Sequence, residues 1–510
     1  FGSRLCGSNF FAPPAATPGA ARTFPMHDHP DVPNLALTAE ERRKLLAALV
    51  EACGGDASLV ADDAESLKDA SRDWSFHEPA LPCAVVSPGT VEQVAAVVRV
   101  CAAARVPMVP RGAGTGVEGG AIPYGGGVVV STQKLRRLEL REVEMHAVVG
   151  AGVYKEELNK FLAPHGLLFG PDPSSNPSLG GMASTGGSGM TTLRYGTTKE
   201  NVVSLLVVTA QGDIVRTRAE VRKSSSGYEL TQLYMGSEGT LGIICELTVR
   251  VRRQPPFRSG GLLPFTNVKA AVDTVVAAVR ADPPSLLRCE LLNAEGVEVT
   301  NAMFSTKLET KPTLFLEFRG NDQAALKRDF DVLAKLAEAH GCAAGDVQWA
   351  TDGDKLDEVW EARRGCYFAA IRYRGVKGGE KVFVTDVCVP ISRLAESVAD
   401  SEAEAKRLGL KCIICAHIAD GNFHCLVPHQ DKDMEAVKAF EAHMITNAIE
   451  SGGTVSGEHG IGVGKVQHQC REHGEAHVAV QQAVKRALDP LGLMNPGKVL
   501  PLPSPRTSKL

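Results

Sequence analysis

Two histidines flank a predicted tight turn in the segment AHIADGNFHC, residues 416–425. Asp420-Gly421 is typical of a two-residue β-hairpin loop, because such a turn requires positive φ at its central residues. With this turn, His417 and His424 would lie directly opposite each other, with Cβ atoms about 5 Å apart on one face of the hairpin. Two imidazoles at this distance can share a metal ion, although for two histidines alone a packed cross-strand pair is the simpler interpretation.

A second pair of chemically active side chains lies in the glycine-rich segment SGGTVSGEHGIGVGK, residues 451–465. Glu458 and His459 follow a predicted helix in a loop that can reach the hairpin. One carboxylate and two imidazoles form a ligand set suited to Zn²⁺, Mn²⁺ or Fe²⁺ with open positions. His417, His424 and Glu458 are therefore the predicted metal ligands. This leaves His459 as a general base, because a nearby cation lowers the pKa of an imidazole and keeps it neutral near pH 7.

The segment VWEARR, residues 359–364, offers positive charge for a substrate carboxylate. Arg363 and Arg364 lie on a predicted helix, and arginine grips a carboxylate through two parallel hydrogen bonds that lysine cannot form. From these residues alone, a solvent-exposed helical arginine is an equally good interpretation.

Three glycine-rich segments lie in the first half of the chain: VPRGAGTGVEGG (109–120), PDPSSNPSLGGMASTGGSG (171–189) and GSEGTLGII (236–244). The glycines of the first segment do not follow the GxGxxG spacing and no clear helix follows them, which argues against a Rossmann-type NAD site. A glycine loop after a strand still presents backbone N–H groups that suit a pyrophosphate. Any one segment is equally consistent with a turn-rich loop, but three together predict a large phosphate-bearing ligand.

The elements that must position these residues form two predicted domains. Residues 80–254 alternate strands and helices, with a helix capped by Thr90 and a hairpin turning at residues 211–213. Pro255-Pro256 marks a boundary, and the strand–helix–strand–strand–helix order after it predicts an antiparallel sheet backed by helices. The sequence thus predicts an α+β protein with a leader at 1–37, a first domain at 38–254, a second at 256–487, and a segment at 488–507 that returns to the first domain.

Composition and the two ends of the sequence indicate which partners and which cellular compartment to expect. The 510 residues carry a formal net charge of −4, which argues against a nucleic-acid partner. No apolar run reaches the roughly 18 residues that a transmembrane helix needs. The 13 scattered cysteines favour a reducing compartment over a disulfide framework. Ser508-Lys509-Leu510 matches the peroxisomal (or glycosomal) import tripeptide; the composition of the first 25 residues resembles a transit peptide, so the mitochondrion is the alternative location.

Four more segments carry a resemblance to a known family, in addition to the glycine segments: TDVCVPISRL, DGNFHC, GEHGIG and LDPLGLMNPGKVL. Together these motifs resemble the FAD-linked D-lactate and glycolate dehydrogenase branch of the vanillyl-alcohol oxidase flavoproteins, over almost the whole chain after residue 40. The resemblance implies a PCMH-type FAD-binding domain and an antiparallel-sheet cap domain with helices in ferredoxin-like units. It also implies non-covalent FAD, because the first glycine loop lacks the histidine through which some relatives attach the flavin.

The same resemblance assigns cofactor-binding residues. The FAD pyrophosphate is expected to be wrapped by the first loop, at Arg111, Gly112, Ala113, Gly114, Thr115 and Gly116, and Pro110 just before it belongs to the cofactor-binding set. The flavin and its phosphates fall to Pro173, Gly180, Gly181, Thr185, Gly186, Gly187 and Gly189. Gly242, Ile243 and Ile244 approach the adenosine end, and Asn495 of the C-terminal segment joins the cofactor-binding set. The resemblance also places His417, His424 and Glu458 on a divalent cation, and the Trp-x-x-Arg pattern gives Arg363 the substrate carboxylate.

The expected activity is oxidation of a D-2-hydroxy acid by FAD, with His459 as the base. Relatives that act on D-2-hydroxyglutarate carry a Lys where this chain has Val384, so a mono-carboxylate, most simply D-lactate, fits better than D-2-hydroxyglutarate; glycolate is the other alternative. Candidate electron acceptors are cytochrome c, a quinone, an electron-transfer flavoprotein and oxygen. Two further classes are an alkyl-glycerone-phosphate synthase-like flavoprotein, expected to resemble this chain only in the FAD domain, and a non-catalytic flavin-binding module.

Overall fold

A computed structural model describes residues 32, 34–304, 306–373 and 381–501. The predicted import tripeptide and nearly all of the predicted leader lie outside these residues. The described chain forms three β-sheets, two in the first half and one in the second. Nowhere in the described residues does a helix combine the length and the apolar character needed to cross a membrane.

The first half of the chain builds two sheets around one apolar core. The smaller sheet has the strand order Val60–Ala61, Ala84–Val86, Val128–Ser131, Met108–Arg111. The larger, antiparallel sheet has the order Leu138–Arg141, His146–Gly150, Gly242–Arg253, Val202–Thr209, Ile214–Arg216, with Leu167–Phe169 also paired to Gly242–Arg253. The helices of this half are Ala39–Ala52, Ala64–Ala70, Val91–Ala104, Lys155–Leu162, Leu179–Thr185, Thr192–Tyr195, Thr198–Asn201 and Leu230–Tyr234.

Local sequence explains these elements. The helix Val91–Ala104 starts where the Thr90 hydroxyl accepts the Gln93 N–H, as predicted, and it buries the stripe Val94, Val98 and Cys101 at helical spacing. The predicted hairpin at residues 211–213 is confirmed, because Val202–Thr209 pairs antiparallel with Ile214–Arg216.

The second half of the chain forms one antiparallel sheet covered by helices. The strand order is Gln348–Ala350, Phe257–Pro264, Thr313–Gly320, Leu286–Leu292, Ile413–His417, Asn422–His429, Lys381–Val384, with Val387–Cys388 also paired to Asn422–His429. The helices are Val268–Ala281, Ala294–Phe304, Gln323–Ala339, Gly353–Arg364, Cys366–Ile371, Leu394–Arg407, Met434–Glu450, Gln469–His473 and Glu475–Leu488. The first four strands along the chain, with helices Val268–Ala281 and Gln323–Ala339, form a βαββαβ ferredoxin-like unit.

The predicted hairpin exists, but its predicted register was wrong. His417 pairs with Asn422, and His424 pairs with Cys415. A 3₁₀ turn at Ile418–Asp420 lengthens the loop. A two-residue primed turn at Asp420-Gly421 would need positive φ at both residues, but of the two only Gly421 has it. The register differs by two residues, an even number, so both histidines still share one face of the hairpin.

The segment after the last helix packs against the first sheet. The Met108 N–H donates to the Leu493 carbonyl at 2.8 Å, and the Asn495 N–H donates to the Met108 carbonyl at 2.8 Å. The Lys498 ammonium donates to the Ile122 carbonyl, also at 2.8 Å. Residues from the far end of the chain therefore complete the edge of the smaller sheet.

Asp172 joins the two halves of the molecule through three cations. Its carboxylate accepts from Lys155 of the first half at 2.9 Å, from Arg288 of the second half at 2.6 Å, and from Arg364 of the second half. Burial alone would raise the pKa of Asp172, but these three positive charges outweigh burial and hold the pKa well below its usual value.

Asp172→Asn is expected to lower the free energy of unfolding by about 3 kcal/mol at pH 7, because it leaves one buried and two partly buried cations facing each other. Folding lowers the pKa of this carboxyl group, so its charge stabilises the fold fully above the unfolded pKa of about 4. This contribution falls progressively as the pH drops from that value toward the lower pKa of the folded state. Urea unfolding at pH 7 and pH 3 should therefore show a smaller difference between variant and parent at pH 3. The exposed pair Lys327–Asp331 provides the control, since Asp331→Asn should change stability little. Equal differences at both pH values would contradict the role given to the Asp172 charge.

Candidate active site

A cavity of about 500 Å³ lies between the two halves of the chain. This volume is within the range of small-molecule and cofactor sites. On one side it is lined by the glycine-rich segments, including Pro110, Arg111, Gly112, Ala113, Gly114, Thr115, Gly116, Pro173, Gly180, Gly181, Thr185, Gly187, Gly242 and Ile244. On the other side it is lined by Arg363, Arg364, Tyr367, Phe368, Val384, Cys415, His417, His424, Leu426, Glu458 and His459.

The first glycine loop is shaped to bring backbone and a cation to the cavity. A Cβ at Gly112 would lie 2.2 Å from the Ser178 hydroxyl, and Gly114 has φ of 72°, so neither position accommodates a larger residue without strain. Arg111 lines the same wall, and its Nη1 is buried without a hydrogen-bond partner among the described residues. An unpaired guanidinium N–H beside exposed backbone fits the diphosphate of a dinucleotide cofactor.

Three residues predicted to bind the cofactor lie behind this wall. Gly186 ends the helix Leu179–Thr185 in the left-handed conformation, with φ of 67°. Gly189 packs so closely on the backbone of Asp172 that a Cβ would lie 2.2 Å away. Ile243 is fully buried in its strand, pointing away from the cavity side on which its neighbours Gly242 and Ile244 lie. These three residues support the loops and do not line the cavity.

Asn495, the fourth such residue, fastens two glycine segments together. Its Nδ2 donates to the Gly120 carbonyl at 2.9 Å and to the Glu238 carbonyl at 2.7 Å. Asn495 therefore shapes the cavity from behind, and it is not among the residues that line it.

The three predicted metal ligands converge on one point of the wall. The Nε2 atoms of His417 and His424 lie 3.1 Å and 3.2 Å from the same oxygen, Oε1 of Glu458. The His417 and His424 ring centroids are 5.5 Å apart and nearly perpendicular. All three side chains are largely buried, and their ligand atoms lie within 4.8 Å of one another. Two nitrogens and one oxygen at this separation suit a small divalent cation with open positions.

The outer nitrogen of each imidazole is tied to a second acceptor. Nδ1 of His417 lies 2.9 Å from the Glu290 carboxylate, and Nδ1 of His424 lies 3.1 Å from the Thr385 carbonyl. Metal-binding histidines usually donate their second N–H to such a carboxylate or carbonyl, which turns the other nitrogen toward the metal. The residues present therefore fit a divalent metal ion.

The charges around Glu458 keep its carboxyl group ionised, as a metal ligand must be. Burial would raise the pKa of Glu458, but the two imidazoles outweigh burial and hold that pKa well below its usual value. Burial would lower the pKa of His417 and of His424, but the facing carboxylates outweigh burial and raise it. Protons therefore compete with a metal ion for these two rings, so metal binding should weaken as the pH falls.

His459 lies beside the ligand cluster. Its ring stacks on the His424 ring with centroids 4.8 Å apart and planes 10° from parallel. Burial lowers the pKa of His459 to about 4. The ring is consequently neutral at pH 7 and able to accept a proton.

Arg363 is not a solvent-exposed helical arginine, since only 1% of it is accessible. Its Nη2 pairs with the Glu290 carboxylate and donates to the Ala416 carbonyl at 3.3 Å, and its Nη1 contacts Cys415 Sγ at 2.7 Å. Nε has no hydrogen-bond partner among the described residues. Arg363 therefore lines the cavity with an N–H group still unpaired among the described residues, whereas the neighbouring Arg364 is held by Asp172.

Sequence reasoning missed Glu290, Asp386 and Ser188. Glu290 is buried between His417 and Arg363, and the Ser188 hydroxyl donates to Glu458 Oε2 at 2.6 Å. Asp386 accepts the backbone N–H groups of the Glu458–His459 loop. A signal was present for two of them, because each is a lone acid in an apolar strand segment, LLRCELL and VFVTDVCV. A buried acid in such a segment requires a partner.

Matches to two domain families cover most of the chain. Residues 82–218 match the FAD binding domain, and residues 254–499 match the FAD linked oxidases, C-terminal domain. In solved structures, p-cresol methylhydroxylase superposes with a TM-score of 0.72 at 18% identity, over 92% of this chain and 98% of that one. An alkyldihydroxyacetonephosphate synthase gives 0.69 at 18% identity, over 92% of this chain and 86% of that one. These identities establish the fold alone. The synthase match extends beyond the FAD domain, which corrects the expectation that the likeness would end there.

Curated relatives are similar in sequence over most of their length. A probable mitochondrial D-lactate dehydrogenase from Danio rerio is 37% identical over 464 residues, 89% of this chain and 92% of the relative. A mitochondrial D-lactate dehydrogenase (cytochrome) from Arabidopsis thaliana is 35% identical, over 84% of this chain and 75% of the relative. Glycolate oxidase subunit GlcD from Bacillus subtilis is 32% identical, over 84% and 91%.

The domain matches define an FAD-linked oxidoreductase, and the superposition on p-cresol methylhydroxylase confirms the predicted fold class. Within that class, the chain belongs to the family of FAD-linked D-lactate dehydrogenases and GlcD-type glycolate oxidase subunits.

Proposed function

We propose that this protein oxidises D-lactate to pyruvate, with FAD as the hydride acceptor. The observation that carries the proposal is the convergence of two imidazoles, one carboxylate and a neutral histidine on a cavity whose opposite wall consists of the FAD-binding glycine segments. A 2-hydroxy acid must lose its α-hydrogen as hydride and its hydroxyl hydrogen as a proton. The cavity offers a separate acceptor for each, FAD for the hydride and His459 for the proton.

The residues of the chain divide the remaining work. His459, neutral at pH 7, takes the hydroxyl proton. Arg363 holds the carboxylate with its unpaired N–H group, and its fixed position against Glu290 limits the poses of the acid. His417, His424 and Glu458 would hold a Zn²⁺, Mn²⁺ or Fe²⁺ ion, whose chemistry is to lower the pKa of the substrate hydroxyl.

The remaining wall favours a substrate with one carboxylate. Tyr367, Phe368, Val384 and Leu426 line the cavity with predominantly apolar surface. A second carboxylate beside them would lie against mainly apolar surface, which is unfavourable, and Arg364 of the same wall is already paired with Asp172. This supports D-lactate over D-2-hydroxyglutarate. Glycolate, which lacks the methyl group of lactate, is the second candidate, and the GlcD relative supports keeping it.

Val384→Lys is expected to raise kcat/KM for D-2-hydroxyglutarate at least about tenfold and to lower kcat/KM for D-lactate. The new ammonium would lie two residues before Asp386, where it can pair with a second carboxylate, and one buried charge-assisted hydrogen bond is worth about 1.5–3 kcal/mol. Steady-state kinetics with both acids measure the change. Val384→Met, similar in length and uncharged, is the control. An equal gain in the Met variant would show that space, rather than charge, sets the preference.

Anaerobic reduction of the bound flavin tests the proposal directly. The purified yellow protein is mixed in turn with D-lactate, L-lactate, glycolate and D-2-hydroxyglutarate, before and after treatment with a chelator. D-lactate should bleach the flavin fastest, and chelation should slow that bleaching. Rapid bleaching by D-2-hydroxyglutarate with none by D-lactate would refute the substrate assignment. Failure of all four acids would favour the alkyl-glycerone-phosphate synthase-like class, which performs no net oxidation.

Reoxidation of the flavin requires an electron acceptor, for which we propose cytochrome c. The support is the cytochrome designation of relatives such as the one from Arabidopsis thaliana, and the mitochondrial designations of these relatives make the mitochondrion the proposed location. Turnover with D-lactate and cytochrome c, compared with a soluble quinone, an electron-transfer flavoprotein and oxygen, separates the acceptors. Two separate fluorescent reporters, one fused after residues 1–25 and one ending in Ser508-Lys509-Leu510, distinguish the mitochondrion from the peroxisome.

A further inference from the structure

Asp386 is a fully buried carboxylate at the break between the strands Lys381–Val384 and Val387–Cys388. Its Oδ2 accepts the backbone N–H groups of Glu458 at 3.0 Å and of His459 at 2.9 Å. The same oxygen accepts the Ser456 hydroxyl at 2.9 Å, and Oδ1 accepts Asn422 Nδ2 at 2.7 Å. One side chain of the sheet thus fixes the backbone of the loop that carries both the third metal ligand and the base.

The same carboxylate faces the rings of two histidines. Its Oδ1 lies 3.6 Å from Nδ1 of His424, and its Oδ2 lies 3.9 Å from Nδ1 of His459. Nδ1 of His424 already has the Thr385 carbonyl as its acceptor. Nδ1 of His459 is buried and has no hydrogen-bond partner among the described residues. Asp386 is the charged acceptor that faces this otherwise unpaired nitrogen.

Asp386, His424 and His459 also lie close enough together to be considered as metal ligands. The carboxylate, however, already accepts four hydrogen bonds, and the Lys465 ammonium lies 3.7 Å from Oδ2. These hydrogen bonds hold the carboxylate in place, and the neighbouring ammonium charge opposes the binding of a metal cation there. The arrangement suits a group that orients its neighbours better than one that binds a cation.

We propose that Asp386 is a positioning residue, which directs the Nδ1–H of His459 toward its own carboxylate and so presents Nε2 of His459 to the substrate hydroxyl. The proposal rests on the base role given to His459 above. A short movement of the ring closes the 3.9 Å separation into a hydrogen bond, and catalytic hydrogen bonds are often long before substrate is bound. A hydrogen fixed on Nδ1 leaves the Nε2 lone pair free to take a proton.

The tautomer of His459 tests this inference without any substrate. In the FAD-loaded protein labelled with ¹⁵N-histidine, the ring signals of His459 are assigned by their absence in His459→Asn. The hydrogen is expected on Nδ1, with Nε2 unprotonated. A hydrogen on Nε2 would overturn the proposal. This measurement stands whether or not D-lactate proves to be the substrate, so failure of the proposed function and failure of the Asp386 role are distinguishable.

Kinetics of the holoenzyme give the second test. Asp386→Asn is expected to slow flavin reduction at saturating D-lactate about 100-fold, with less than about a threefold change in the half-saturating concentration, because outer partners of catalytic histidines typically contribute 10–100-fold. The matched control is Asp400→Asn, which removes an acceptor of His443 outside the cavity and should leave the rate within about twofold.

A double variant separates positioning from a general structural defect. If Asp386 acts through His459, adding Asp386→Asn to His459→Asn should slow flavin reduction by less than about threefold more. A further loss close to 100-fold would overturn the inference, because the aspartate would then act independently of the imidazole. If Asp386→Asn does not fold, the tautomer measured in the parent protein still decides the question.

Discussion

Replacing His459 with Asn is expected to slow flavin reduction by D-lactate about 10³-fold while FAD remains bound. A general base contributes about 10²–10⁴-fold to a rate, and the stacked, neutral ring of His459 is the proposed acceptor of the hydroxyl proton. Asn approximates the size of part of the ring and accepts hydrogen bonds, but it does not accept a proton near pH 7. Stopped-flow absorbance of the flavin under anaerobic conditions measures the rate.

The control for this variant is His477→Asn, which changes an exposed histidine on the helix Glu475–Leu488. It should reduce its flavin at the parental rate. The base assignment would be wrong if His459→Asn reduced its flavin within about threefold of the parental rate. Loss of the yellow colour from His459→Asn would instead indicate a defect in cofactor binding, and the flavin-to-protein ratio must therefore be measured first.

Glu458→Gln should abolish binding of the proposed divalent metal and slow flavin reduction about 10³-fold. Oε1 of Glu458 faces both Nε2 atoms, and a neutral amide is a weaker ligand than a carboxylate. A metal ion that polarises the reacting oxygen lowers the activation barrier by several kcal/mol. Elemental analysis after dialysis gives the ratio of metal to flavin, which should fall from about one to below about a tenth, while stopped-flow absorbance gives the rate.

Glu290→Gln provides a graded comparison for the metal site. Glu290 holds the outer nitrogen of His417 and pairs with Arg363, so its loss should lower metal affinity by about 10–100-fold without abolishing binding. Excess Mn²⁺ or Zn²⁺ should restore metal content in Glu290→Gln but not in Glu458→Gln. A parent protein that reduces its flavin at full rate after complete removal of metal would refute the catalytic role of the ion.

The chemistry of the site was more predictable from sequence than its geometry. His417 and His424 lie in one short hairpin, so their shared face follows from the alternation of side chains along strands. The register did not follow, because it depends on a 3₁₀ turn that leaves Asp420 at negative φ. Glu458 and His459 were predicted to reach the hairpin, but nothing local specified that a single carboxylate oxygen would face both imidazoles.

Residues that act from behind the site were invisible to motif analysis. Glu290 precedes His417 by more than a hundred positions, and it reaches that ring only because Leu291 pairs with Ala416 in the sheet. Asp386 reaches the Glu458–His459 loop in the same indirect way, through the antiparallel bridge between Cys388 and Thr454. Partners of this kind are set by tertiary strand order, which a single sequence does not reveal.

The position of Leu493 and Asn495 beside Met108 has a consequence for how the protein is made. These residues fasten the glycine segments from which the dinucleotide cavity is built, yet they follow the whole second domain in the chain. A ribosome therefore releases nearly the entire polypeptide before the flavin pocket is finished. We therefore expect cofactor loading to come late in biogenesis, because a nascent chain stopped after residue 254 would lack the contacts that Leu493 and Asn495 make beside the glycine segments.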